Sequence, residues 1–227
     1  MGESILKGIS HTPLIIQGNK NLSGADILEF NQSKEYRWKD ATDCRADLHL
    51  IDCASDNLLS FYHDTLFERG KYKMIYAEGS DGASVYHPHI VNLSISSVTA
   101  ELVRLGPASQ LWASGVDEEG KYNEFDRLVC EGNVKSISHT KVNQLVIHPG
   151  SIVYAYMHTI IKDATVDGIL RIEDPRVELK GTIDLKPGGV IWFKEEEESP
   201  HLDVLTHRSS VTRREKFAFD HYTVIFG

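Results

Sequence analysis

The sequence predicts an all-β protein: a β-sandwich or β-roll with a short solenoid-like segment and at most one substantial helix. Three observations carry this expectation. Apolar residues recur at every second position, as Val91, Leu93 and Ile95 do against Asn92, Ser94 and Ser96. A strand sends alternate side chains to opposite faces, so such a run buries one face and wets the other. Turn chemistry then separates the runs, at Gly18-Asn19, Gly79-Ser80-Asp81-Gly82, Gly106-Pro107, Glu119-Gly120, Glu131-Gly132-Asn133, Pro149-Gly150 and Pro187-Gly188-Gly189. Finally, 227 residues that are 41% hydrophobic and 25% charged have a globular composition and enough length for a sizeable core.

Taken in order, the expected strands lie at 14–17, 48–51, 72–77, 89–105, 152–161, 189–193 and 217–226. In 89–105 the alternation slips near Ser96-Ser97 and resumes as Val98, Ala100 and Leu102, which predicts a bulge or a turn between two strands. Segment 56–69 competes as a helix. Leu58, Tyr62 and Leu66 are spaced at i, i+4 and i+8, Ser55 or Asp56 supplies a cap, and Gly70 supplies a left-handed terminus. The helix is the favoured reading there, over a strand containing Ser60, Tyr62 and Asp64. The run Glu195-Glu196-Glu197-Glu198 before Ser199-Pro200 reads as a solvated connection, since adjacent carboxylates repel. The division expected is a β-rich part over 1–140 and a roll-like part over 141–227, with one continuous domain as the alternative.

Charge and composition exclude several classes. With 24 Lys+Arg against 33 Asp+Glu the net charge is −9, so nucleic acid would meet net repulsion instead of releasing counterions. No stretch approaches the roughly 18 apolar residues of a membrane span. The start, Met1-Gly2-Glu3-Ser4-Ile5-Leu6-Lys7, lacks the apolar region of a secretory signal. Cys44, Cys53 and Cys130 are odd in number and lack zinc-site spacing, which fits reduced structural thiols in a cytoplasmic setting.

The stretch 145–193 is the most informative. Glycines 150, 168, 181 and 189 each precede a few apolar-alternating residues, as in Val166-Asp167-Gly168-Ile169-Leu170-Arg171-Ile172 and Leu179-Lys180-Gly181-Thr182-Ile183. Glycine permits a sharp corner, so these units fit a β-roll or short solenoid. The segment resembles the solenoid segments of bacteriophage tail-fibre and other virion structural proteins. That resemblance implies a virion or tail component working as a packed or intertwined oligomer, often a trimer, with no catalytic residues and no cofactor.

The leading functional expectation is therefore a non-enzymatic structural or assembly protein, cytoplasmic or assembled into a virion. Its partners would be further copies of itself and other structural proteins. The runs Ile152-Val153-Tyr154-Ala155-Tyr156-Met157, Val190-Ile191-Trp192-Phe193 and Val224-Ile225-Phe226 are apolar on both faces, which predicts cover on both sides. Ile152, Tyr154, Tyr156, Met157, Tyr222 and Phe226 are thus the candidate interface residues.

Two other classes compete. In Tyr86-His87-Pro88-His89 the imidazoles of His87 and His89 share one face of an extended chain. This looks a little like the His-x-His element of cupins, with His158 as third ligand to a divalent metal. The glutamate that a cupin carries a few residues later is missing. The remaining class is a carbohydrate-binding module using Trp38, Trp112 or Tyr122 as stacking platforms. Nucleophile-elbow, phosphate-loop and His-Glu-x-x-His motifs are all absent from the sequence.

Overall fold

The computed structural model describes residues 14–27, 47–79, 90–115, 120–194, 205–206 and 223–226. Seventeen strands join into a single sheet, and the only antiparallel pair among the described residues is β15 with β16. Parallel neighbours cannot be joined by a hairpin, so the chain must travel round before each new pairing. The result is a coil with two ladders.

The first ladder stacks β1 (Leu14–Gln17), β2 (Leu48–Ile51), the first part of β4 (Thr65–Ala77), the first part of β5 (Val91–Leu105), β6 (Ser109–Ala113), β8 (Asn133–Ile137), β10 (Ile152–Ala155), β12 (Ile169–Ile172) and β15 (Val190–Phe193). The second ladder stacks β3 (Ala54–Phe61), the later parts of β4 and β5, β7 (Asn123–Cys130), β9 (Thr140–Ile147), β11 (Ile160–Val166), β13 (Glu178–Leu179) with β14 (Thr182–Leu185), and β17 (Thr223–Phe226). β16 (Leu205–Thr206) closes the edge of β15.

Register places like residues above one another. Leu50, Phe67, Ile95, Ala113, Ile137, Ala155 and Ile172 form one inward column. Leu59, Ile75, Val103, Leu128, Leu145, Ala164 and Ile183 form another. All of these side chains are buried. Phe67 meets Phe61 and Tyr72 edge-to-face, with centroids 5.1 and 5.3 Å apart.

One coil explains the slip at Ser96-Ser97. In β5 the inward residues are Leu93, Ile95, Val98, Ala100, Val103 and Leu105, so they advance by steps of two and three. The first step of three is the bend between the ladders. At this bend Ser97 takes φ 56°, so a single strand turns from one ladder into the next. At the second step of three Leu102, expected inward, is half-buried on the outside while Val103 takes its place. Asp52, Arg69, His139 and His158 hold the same left-handed bend in other coils, with φ between 48° and 57°.

The helix expected over 56–69 is replaced by β3 and the start of β4. A register shift between Ser55 and Leu58 sends Leu58 outward and Leu59 inward. Leu58 and Tyr62, two of the supposed helical stripe, are exposed, and Leu66 is half-buried. Phe61 and Phe67 supply the core there. The only helical segment among the described residues is a turn at 24–27. Ser23 and Asp26 cap it reciprocally (Asp26 N–H donates to Ser23 Oγ and Ser23 N–H to Asp26 Oδ2). Its Ile27 and the preceding Leu22 are buried, and Leu22 N–H donates to Ala54 O at the start of the second ladder.

The glycines of 145–193 work differently from the sequence expectation. Gly150 does use a left-handed backbone, φ 82°. Gly168 and Gly189 instead permit close approach, because a Cβ would strike Ser151 O in the first case and Val166 O in the second. The coil pairing begins far upstream of residue 145, at the pairing of β1 with β2, and runs through residue 140 without a break.

Candidate functional site

Outward positions differ sharply between the ladders. The second ladder carries charge: Lys141 Nζ lies 2.7 Å from Glu124, Arg104 Nη2 2.7 Å from Glu131, and Lys186 Nζ 2.6 Å from Asp184. Pairs of this kind stabilise little but keep a face wetted.

The first ladder changes character along its length. Asp47, Asp64, Asn92, Gln110 and Asn133 follow one another at one register position, the two aspartates buried, and are continued by Ile152, Ile169 and Val190. The polar part of the column bonds to the backbone: Asp64 Oδ1 accepts Asn92 N–H at 2.8 Å, and Asn133 Oδ1 accepts Ile152 N–H at 3.1 Å. Beyond Asn133 the side chains turn aliphatic. Beside them, Tyr154, Arg171 and Trp192 occupy one register position in three successive coils. The Arg171 guanidinium lies between the two rings, its Cζ 5.0 Å from the Tyr154 centroid and 3.9 Å from that of Trp192. Arg171 Nε sits 2.8 Å from Glu173 Oε1. Burial, with the Glu173 charge, pushes the neighbouring Tyr156 phenol up. The last three coils therefore present a half-buried apolar and aromatic face whose central charge is already paired.

At the bend between the ladders a second constellation stacks. Tyr122, His139 and His158 follow one another over three coils, with ring centroids 5.7 Å and 5.0 Å apart. Lys141 Nζ lies over the other side of the corner, 5.6 Å from the Tyr122 centroid. Burial, His158 and Arg176 hold the His139 imidazole below its usual pKa. No family model, no curated protein and no solved structure matches the chain.

Of the residues singled out from sequence, Ile152, Tyr154 and Tyr156 share the outward face of the first ladder, half-buried, and Met157 is 37% exposed in the following turn. Phe226 pairs in register with Leu185. Tyr222, His87, His89 and Trp38 lie outside the described residues. His158, the third ligand in the cupin-like reading, stacks on His139. Trp112 points outward opposite Ser136, and Tyr122 gives its ring to His139 and Lys141. Among the described residues no three His, Cys, Asp or Glu side chains converge on a metal position. Cys53 and Cys130 are buried and free, and burial pushes the Cys130 thiol up.

Sequence reasoning missed Ile169, Arg171 and His139. The signal lay in the coil length: Ile152 pairs with Ile169 and Lys141 with Ile160, so residues about one coil apart are neighbours.

Proposed function

We propose that the protein is a non-enzymatic assembly component that packs against further copies of itself through the outer face of its last three coils. The reading that suits the fibre resemblance is a virion or tail element, with a trimer as the favoured form. One observation carries the proposal. The column at that register position runs polar from Asp47 to Asn133 and then apolar through Ile152, Ile169 and Val190, flanked by Tyr154 and Trp192. Parallel sheets are ordinarily covered on both faces, and the second ladder dresses its own exterior in charge pairs.

The occupant that suits the face is a second copy. Arg171 and Glu173 neutralise each other within it, so it offers little to an acidic or basic partner. Soluble oligomers are mostly closed and symmetric, and a patch apolar at its centre is complementary to itself. Ile169→Glu places a carboxylate at that centre. Light scattering on the eluting protein should show the mass of this variant fall to that of one chain while its β-rich circular dichroism is retained. A variant that keeps the mass of the unmodified oligomer would remove this face from the assembly.

A further inference from the structure

Among the described histidines, His139 and His158 are the pair whose rings lie against each other. His49 Nε2 lies 3.2 Å from Glu68 Oε2, and His63 Nδ1 lies 4.0 Å from the buried Asp47. No ring nitrogen of His139 or His158 has a hydrogen-bond partner among the described residues. The two rings stand on consecutive coils at one register position, as the pairing of Lys141 with Ile160 fixes. Their centroids are 5.0 Å apart and their planes tilted by 42°.

The backbone is committed to this arrangement. Both residues hold a left-handed φ, 48° and 57°, a conformation unfavourable for a residue with a Cβ. The His139 N–H donates to Met157 O, which ties the two bends together.

We propose that His139 and His158 form a two-imidazole site for a borderline divalent cation of the zinc, nickel or copper kind, bridging consecutive coils. Imidazole binds metal through an in-plane lone pair at about 2.0–2.1 Å, so the ion would sit at the ring edges and not between the stacked faces, and imidazole suits these cations over magnesium or calcium. A carboxylate on the next coil, Asp174, is held by both Nε and Nη2 of Arg176 at 2.8 Å. Water therefore completes the coordination, and the ion exchanges readily. Binding stabilises the folded chain by mass action, because the pair is assembled only when the coils are. This proposal is independent of self-assembly, since the bend lies away from the Ile152–Ile169–Val190 column.

The test is calorimetric titration of the full chain with zinc chloride, alongside His139→Asn, His158→Asn and His49→Asn. Asparagine tolerates the left-handed bend. One equivalent of zinc, with its rise in melting temperature, should disappear in the first two variants and persist in the third. Absence of zinc binding by the unmodified chain, or unchanged stoichiometry in both bend variants, overturns the proposal. Should the variants not fold, diethylpyrocarbonate labelling of the unmodified chain decides. Zinc should protect His139 and His158 together, and protection of neither overturns the site.

Discussion

Arg171 stacks its guanidinium on the indole of Trp192, 3.9 Å from the ring centroid, one coil apart on the outer face of the first ladder. Tyr154 closes the other side, so a cation and two rings form a short stack along the coil axis. Its neighbour Glu173 is 10% exposed at the side chain.

Arg171→Ala should therefore destabilise by about 1–3 kcal/mol, combining loss of the stack with an unpaired, largely buried carboxylate. Arg171→Lys should recover only part, because an ammonium cannot present a planar face to both rings. Urea denaturation of the three proteins measures this, and equal midpoints would contradict the stack's role.

The inward columns predict the largest effects. Phe67 is fully buried between Phe61 and Tyr72. Phe67→Ala should cost about 3–5 kcal/mol. The same loss in Leu58→Ala, at an exposed position, would contradict the assignment of faces in β3 and β4.

Much of this coil was legible in the sequence. Alternation located β1, β2, β5 and β15, and the two-faced runs located the outward face of β10. The segment 56–69 misled for a physical reason. Leu58, Tyr62 and Leu66 are not core residues but lie on the outside of β3, the turn after it and β4, and two strands following so closely in sequence happen to space them like a helical stripe. The partners of the site were harder to see. Arg171 and Trp192, or His139 and His158, become neighbours only once coil length is known, and turns of unequal length between coils keep that length from being constant.

Acid should weaken the fold through the bend. His139 has its pKa lowered from 6.5 by burial, His158 and Arg176, so the unfolded chain binds this proton more readily. The stability it contributes is complete above pH 6.5 and is lost as pH falls through the lowered folded value. Asp174, whose carboxyl the Arg176 guanidinium holds below its usual range, stays ionised over that window. Urea midpoints between pH 7.5 and 5 should fall for the unmodified chain and fall less for His139→Asn. Identical slopes would contradict the assignment.

Gly189 is the tightest of the close approaches. A side chain at 189 meets the Val166 carbonyl of the preceding coil and Leu185 Cδ1. Gly189→Ala should separate β12 from β15, lowering the melting temperature by several degrees or more. An unchanged melting temperature would show that the last coil can shift freely.

Self-association through the Ile152–Ile169–Val190 face is the central claim, and the mass of the unmodified chain in solution tests it most directly. Sedimentation equilibrium at micromolar concentration should return an integral multiple of 25.5 kDa, three-fold in the favoured form. A single species at 25.5 kDa across the concentration range would contradict it.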